Sequence, residues 1–561
     1  MNIFFDKENL INMINRIKTF FATYGWVVWA LIVALVVLLC WFAFRTDVEL
    51  SQFFSSDSLY LQALYRDFFQ DGYSLNGWTL NQASNFFPDM LLFFALNAIF
   101  GNFITATFGY SVIQYFAIIF IMYLIFRQIK LNLHLSTFAP AIFLFASLLF
   151  LFFIDRSWIA SLLNHNAWHN SAFIMSLVCI YLFCKYLNIK SQKLLIAIIV
   201  LSMLSGASDK LFFICFTIPA SLVIIVLYFF NKDRRMLIKL LIVMAIGTIL
   251  AIALWIFFKN NPYFSLTKPY GAITPKYIQD SWSVFSEQMH AYLTTFSFVM
   301  FLTWFSILSY FAVVVHVFVK IYRLIKEKKS ADTLFAFELF VLFFTPIVLF
   351  TPILAGSYDN IISLRYNYFP YILLPFNSVV LISNWLDKNK WIRVALNSTF
   401  SLLMLGYLLF HFPPKEFNSG LKQFFTCYPE RAEIVDNCFT DENLKYGITD
   451  DYWLARQATM FSKKGVRLHC AFPGGDPWLH VSNKHWFTDN DKGKHAHCEF
   501  TFIVWSKDVE VPPFFRENSE MQPIDLGDWY LYQIAPYRFI MPGHRFAIDP
   551  VLIDTSYNKK K

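Results

Sequence analysis

The sequence predicts a polytopic α-helical membrane protein of about eleven transmembrane helices with a C-terminal soluble α/β or mostly β domain. Three observations support this fold class. The mean hydropathy is +0.48, and only 15% of the residues are charged, against about 25% in soluble domains. Apolar runs of membrane length recur up to residue 411. After Pro413 and Pro414 the composition becomes that of a water-exposed domain.

The apolar runs also define a topology. Residues 24–44 are long enough to cross about 30 Å of hydrocarbon. Residues 88–127 could hold two spans, but one span at about 104–127 places every later Lys/Arg cluster on the N-terminal side of the membrane. The positive-inside rule therefore favours one span, with residues 88–100 as a short, partly embedded external helix. The other spans are predicted at about 138–155, 171–189, 193–208, 211–230, 236–258, 294–320, 333–354, 369–386 and 391–411.

This topology divides the chain into a transmembrane domain, residues 1–411, and an external domain, residues 412–561. The N-terminus is expected in the cytoplasm, and the first external loop, residues 45–103, follows the first span. The formal charge of +8 comes largely from short loops between apolar runs. It therefore indicates topology and not a nucleic-acid partner.

The external domain contains the cysteines Cys427, Cys438, Cys470 and Cys498. An even number of cysteines outside the cytoplasm predicts two disulfides and an oxidising compartment such as a bacterial periplasm. Three pairings are open, and the short loops favour Cys427–Cys438 and Cys470–Cys498. We therefore expect a multi-pass protein of the bacterial inner membrane whose C-terminal domain is periplasmic.

Asp57 is the first candidate for catalysis, because it is an isolated carboxylate just after the first span. It begins a predicted amphipathic helix on the membrane surface, residues 58–69, so it is also a plausible N-cap. Asp89 is a second carboxylate, at the start of the embedded helix 88–100. The two could supply a base and a metal ligand or orienting group. No cofactor is required by the pattern, and a divalent cation, Mg or Mn, held by Asp57 and Asp89 stays open.

Three cationic residues are candidates for binding a lipid phosphate. Arg365 lies in a predicted external loop, and its planar guanidinium suits phosphate. Lys210 lies between two apolar runs that almost touch, where it must face a cavity or its neighbour Asp209. Lys268 lies in the long fourth external loop, residues 259–293, which is a candidate lid.

Four further residues are candidates for binding a sugar or acceptor. The spacing of His165 and His169 would place both on one helix face, where they could bind a sugar, a phosphate or a metal. Asp209 and Tyr270 are the polar neighbours of the predicted phosphate-binding lysines. Each of these patterns is also compatible with a hydrogen-bonded loop.

Taken in order, these features resemble the GT-C glycosyltransferases, and most of all the bacterial relatives of the protein O-mannosyltransferases and the lipid A aminoarabinose transferases. The shared features are an acidic residue after the first span, interfacial helices, about eleven spans and an outside C-terminal domain. Arg365-Tyr366 followed by Pro370 looks like the Arg-Tyr-x-x-x-Pro pattern of such proteins. The resemblance covers about residues 1–411. Asp57-Ser58 stands where the mannosyltransferases have Asp-Glu, so metal dependence stays open.

The resemblance implies a polyprenyl-phosphate-sugar donor and an acceptor hydroxyl on a glycan, a lipid or a protein. Asp57 would act as general base, and Arg365 and Lys210 would stabilise the leaving phosphate, with inversion at the anomeric carbon. Two alternatives stay open. The first is a transporter or flippase of lipid-linked sugars, but the sequence shows no inverted repeat that would support it. The second is an oligosaccharide ligase or polymerase. An oligosaccharyltransferase is disfavoured within this second class, because the external domain has no Trp-Trp-Asp type motif.

Overall fold

The fold combines a bundle of apolar helices with a C-terminal sheet domain. The predicted spans at 24–44, 138–155 and 391–411 lie outside the described residues. This computed structural model describes residues 54–129, 165–166, 169–267, 273–388, 425–439, 445–488, 499–519, 522–540 and 547–549.

The first external loop contains two short helical segments and a strand. The first segment is α1 (Tyr60–Arg66), which continues into a π-helical turn, Asp67–Asp71. Strand β1 (Thr79–Leu80) follows. A second π-helical turn, Phe86–Met90, leads into α2 (Leu91–Phe100), so the predicted short helix of this loop is confirmed.

The bundle follows this loop. Its described helices are α3 (Phe103–Ile129), α4 (Asn170–Ile189), α5 (Gln192–Ser208), the π-helical turn Phe213–Thr217, α6 (Ile218–Phe230), α7 (Arg234–Lys259), the amphipathic α8 (Pro275–Thr294), α9 (Phe298–Glu327), α10 (Thr333–Leu354) and α11 (Pro370–Lys388). Six segments of the described chain are long and apolar enough to cross a membrane: α3, α4, α6 with the turn before it, α7, α9 and α10. Helix α5 is shorter, and α11 is not among the six, so the predicted count of about eleven is not confirmed.

Helices α5 and α7 pack closely because small residues meet between them. A Cβ atom added at Gly247 would lie 2.9 Å from the Cβ of Ser202. Small residues at helix contacts let membrane helices approach in this way. Helix α5 ends at Ser208, so Asp209 and Lys210 lie at one end of the bundle.

The C-terminal domain is an α/β unit with a mixed sheet. Its strand order is β4-β3-β5-β7-β6, in which β3, β4 and β5 are parallel and β7 is antiparallel to both β5 and β6. Helix α13 connects β3 to β4, and β8 pairs with β7. The elements are α12 (Glu430–Asp436), β3 (Lys445–Thr449), α13 (Tyr452–Phe461), β4 (Val466–Cys470), β5 (Phe500–Ser506), α14 (Pro513–Glu517), β6 (Ile524–Asp525), β7 (Trp529–Ile540) and β8 (Ala547–Asp549), while β2 (Ser265–Leu266) pairs with β1 in the loops of the bundle.

The domain docks on the first external loop through a buried carboxylate. Asp67 is only 2% exposed. It accepts hydrogen bonds from the indole N–H groups of Trp78 at 2.9 Å and Trp486 at 3.0 Å, and from the amide of Asn483 at 3.1 Å. One turn later Asp71 pairs with Arg467 at 2.9 Å. Charged groups therefore join two parts of the chain that are far apart in sequence.

This docking corrects the environment predicted for the amphipathic helix 58–69. The helix forms, but Leu61 and Leu64 pack in a buried cluster with Trp78 and Phe93 and do not face lipid. Arg66 donates to the carbonyl of Thr459 at 2.7 Å. The polar face of the helix is thus covered by the C-terminal domain.

We expect Asp67→Ala to destabilise the protein, because the change leaves three buried N–H donors without their acceptor. Each such loss costs about 1–3 kcal/mol, so the temperature of thermal aggregation should fall by several degrees. The exposed Asp528 provides the control Asp528→Ala. An unchanged transition for Asp67→Ala would contradict this account of the docking.

The same carboxyl predicts a pH dependence. Burial raises the pKa of Asp67 to about 7, although the hydrogen bonds from Asn483 and Trp486 act to lower it. The folded protein therefore holds this proton more tightly than the unfolded chain, and stability falls as pH rises from about 4 to above 7. The change in unfolding temperature between pH 5 and pH 8 should be smaller in Asp67→Asn than in the wild type. Equal pH dependence in the two proteins would refute the assignment.

The predicted disulfide between Cys427 and Cys438 is not formed. Cys438 carries a free thiol, which turns back on α12 and donates to the carbonyl of Ile434 at 3.4 Å. The sulfur of Cys470 lies 3.8 Å from the carbonyl oxygen of Ala471. The predicted pair Cys427–Cys438 is therefore wrong in this structure, and the pair Cys470–Cys498 stays a prediction. Residue 498 itself lies outside the described chain.

Candidate functional site

A cavity of about 850 Å³ lies between one end of the bundle and the C-terminal domain. The ends of several helices reach it, because α4 begins, and α5 and α10 end, on this side. Three parts of the chain supply its polar lining. These are the first external loop with Asp57 and Asn81, the bundle with His169, Asp209, Lys210, Arg365 and Tyr366, and the C-terminal domain with Asp450, Tyr452, Trp478, His480 and Ser506.

Asp57 and Arg365 lie next to each other in the lining of this cavity. The Asp57 carboxylate lies 4.0 Å from a guanidinium nitrogen of Arg365, and the two side chains are 28% and 24% exposed. The hydroxyl of Tyr452, from the C-terminal domain, donates to Asp57 at 3.3 Å. Asp57 is thus contacted by both the bundle side and the domain side of the cavity.

The 3₁₀ turn Ile361–Tyr366 positions Arg365. Its guanidinium donates to the Tyr366 hydroxyl at 2.9 Å and lies 5.0 Å from the centre of that ring. Burial acts to lower the pKa of Arg365, but Tyr366 and Asp57 act in the opposite direction and the net pKa is raised. The group is therefore a permanent cation that Tyr366 holds in position.

His169 and Asp209 form a second pair in the cavity wall. Nδ1 of His169 lies 2.6 Å from one carboxylate oxygen of Asp209, whose other oxygen accepts from the backbone N–H of Leu211 at 3.0 Å. His169 has a φ of 70° just before α4 begins, a left-handed conformation that costs energy in a residue with a side chain. Of the two alternatives that the sequence left open, Lys210 lines the cavity, and Asp209 contacts His169.

Lys210 lines the cavity beside this pair. Its ammonium group lies 3.7 Å from the centre of the Trp255 ring. Partial burial lowers the pKa of Lys210, and the nearby Lys259 lowers it further. Lys210 and Arg365 are the lysine and the arginine of the cavity lining, which also contains Asp57 and Asp209.

Two predicted site residues do not line the cavity. Asp89 is buried in the bundle and accepts hydrogen bonds from the hydroxyls of Tyr110 and, at 2.6 Å, Ser171. His165 is buried as well, and its Nδ1 lies 2.7 Å from the hydroxyl of Ser58. His165 and His169 lie before α4 and not on one helix face, so the predicted pair is not formed.

The remaining predicted residues cannot be placed. Lys268 and Tyr270, from the candidate lid, lie outside the described residues. Across the described part of the chain, no three His, Cys, Asp or Glu side chains come together as a metal site. Of the two carboxylates predicted as metal ligands, Asp57 lines the cavity, and its charged neighbour is the guanidinium of Arg365.

No protein-family model matches this chain, and no curated protein matches it.

The C-terminal side of the cavity was missed by the sequence reasoning. Asp450 and Tyr452 follow β3, and Ser506 ends β5, so these residues lie at the carboxyl ends of parallel strands. Ligands of α/β sheets characteristically bind at this edge. A usable signal was present, because the two acidic residues Asp450-Asp451 directly follow the strand Lys445–Thr449 and directly precede a helix.

Proposed function

We propose that the protein is a membrane glycosyltransferase of the GT-C kind that moves a sugar from a polyprenyl-phosphate donor to an acceptor hydroxyl. The observation that carries the proposal is the meeting of Asp57, Arg365 and Lys210 in one cavity at the end of an apolar bundle. A base and two cations in one cavity suit transfer from a phosphate leaving group.

The donor would lie with its lipid tail toward the bundle. Leu211, Ile214 and Pro352 line the cavity where the helices end, and they provide an apolar surface next to the cations. A lipid phosphate on this side would meet Lys210 and Arg365, and His169 lies beside their neighbours, 2.6 Å from Asp209 and 5.1 Å from the ring of Tyr366. The sugar would then lie toward Asp57.

In the reaction, the acceptor oxygen attacks the anomeric carbon while Asp57 takes its proton. The bond between that carbon and the phosphate oxygen breaks, and the leaving lipid phosphate gains negative charge. Arg365 and Lys210 stabilise this charge as it forms. A single displacement inverts the anomeric centre.

The charges of the bundle support an external location for the cavity. Lys190, Lys232 and Arg323 lie in or beside loops at the end of the bundle opposite to His169 and Ala355. The positive-inside rule assigns such loops to the cytoplasm. The cavity and the C-terminal domain would then lie on the periplasmic face of a bacterial inner membrane.

The test is to incubate purified protein in liposomes with a radiolabelled polyprenyl-phosphate hexose. We expect release of polyprenyl phosphate and transfer of label to an acceptor-containing envelope extract. Parallel reactions with EDTA, Mg²⁺ and Mn²⁺ measure metal dependence. Label that crosses the membrane on an intact lipid would contradict the transferase and identify a transporter.

A further inference from the structure

An aromatic wall closes the domain side of the cavity. We use this name for Tyr452, Trp453, Trp478 and His480, which all line the cavity. The Tyr452 ring lies 5.7 Å from Trp453 and 5.4 Å from both Trp478 and His480, and Trp478 stacks on His480 at 5.2 Å. The wall is continuous with the catalytic side, because Tyr452 donates to Asp57.

The fold holds this wall in place. Asp451 accepts the backbone N–H groups of Trp453 at 2.7 Å and Leu454 at 3.1 Å, which fixes the start of α13. Trp478 lies in the loop after β4, where its backbone N–H donates to the carbonyl of Cys470 at 3.0 Å. Both segments lie at the carboxyl edge of the parallel strands. The rings are thus preorganised by the sheet domain.

The wall combines flat apolar faces with polar groups. Trp453 is 40% exposed, which is unusual for so large a ring. The carboxylate of Asp450, which accepts from the backbone of Ser506 at 2.9 Å, lines the same side of the cavity. Sugar rings have apolar C–H faces and a rim of hydroxyl donors, so they match exposed indoles beside a carboxylate.

The same surface fits the other acceptor classes less well. A lipid acceptor would approach from the helix ends, on the side of Leu211 and Ile214, and not from the domain. A peptide that adds a strand needs an open sheet edge. The edge nearest to the wall is β4, whose residues are all buried.

We propose that the aromatic wall binds a carbohydrate acceptor and presents one of its hydroxyls to Asp57. The inference rests on the proposed function for the step of transfer, but the binding of glycan by the wall can be measured without it. Trp453 and Trp478 hold the sugar faces, and Asp450 accepts hydroxyl protons.

The test is saturation-transfer NMR with the full-length wild-type protein in detergent, without donor. The probes are tetrasaccharides of glucose, galactose, mannose and N-acetylglucosamine, and an octapeptide rich in Ser and Thr. We expect saturation of at least one tetrasaccharide and not of the peptide. Trp453→Ala should weaken that affinity at least tenfold, and Trp453→Phe should restore part of it. The control Ile524→Ala removes an apolar side chain that is equally exposed, 41%, at the far edge of the sheet.

The possible results separate the two proposals. Absence of saturation for every tetrasaccharide, a peptide that binds through Trp453, or an affinity unchanged by Trp453→Ala would each overturn the carbohydrate site. Glycan binding by a protein that never cleaves the donor would count against the transferase alone. Donor cleavage and transfer without glycan binding would count against the wall alone.

Discussion

Asp57→Asn should lower the rate of sugar transfer by at least about 100-fold, and by up to about 10⁴-fold, because positioned general bases contribute factors of this size. Asparagine has the same shape and can still accept the hydrogen bond that Tyr452 now donates to Asp57 at 3.3 Å. It cannot take a proton from the acceptor. The measurement is the initial rate of polyprenyl phosphate release from a labelled donor in liposomes.

The control for this variant is Asp528→Asn, which makes the same chemical change at an exposed position of the C-terminal domain. Both proteins should elute as the wild type in size-exclusion chromatography and melt at similar temperatures. If Asp57→Asn retains transfer within twofold of the wild type, Asp57 is not the base.

Arg365→Gln should lower kcat by about 10²–10³-fold, which corresponds to about 2.7–4 kcal/mol of transition-state stabilisation. The guanidinium lies in the same cavity as Lys210 and is fixed by Tyr366, so its charge is already in place when the phosphate leaves. Arg365→Lys should recover only part of the rate, because lysine keeps the charge but loses the planar fork. Steady-state kinetics with varied donor concentration separates kcat from KM.

Arg516→Gln is the matched control, since Arg516 pairs with Glu510 on the exposed surface of the domain at 2.8 Å. Its kinetics should equal those of the wild type. A change confined to KM in Arg365→Gln would show that Arg365 binds the donor without stabilising the leaving group.

Those parts of the protein that follow from local composition were predictable. The long helices come from apolar runs, and their bounds agree with the sequence to within a few residues for α3, α4 and α7. The meeting of Asp57 with Arg365 was predicted from a resemblance in the order of motifs. Hydropathy by itself contains no information on which loops meet.

The failures come from contacts between distant segments. Asp89 resembles Asp57 in sequence, since both begin a helix in the same loop. Its carboxylate is nevertheless taken by Tyr110 and Ser171, which belong to two different bundle helices. The covering of Asp67 by Asn483 likewise depends on how the C-terminal domain docks. A single sequence does not show such pairings, and the count of cysteines alone misled the disulfide prediction.

The central claim is that Asp57 and Lys210 share one cavity on the outer side of the membrane. The most direct measurement is cross-linking of the double variant Asp57→Cys/Lys210→Cys in intact cells, in a background where the other cysteines are replaced by serine. A short, membrane-impermeant bis-methanethiosulfonate should join the two positions, and mass spectrometry should recover the linked peptides. Protection by added polyprenyl-phosphate hexose would agree with the account. Labelling that requires permeabilised cells, or two positions that react singly and never link, would contradict it.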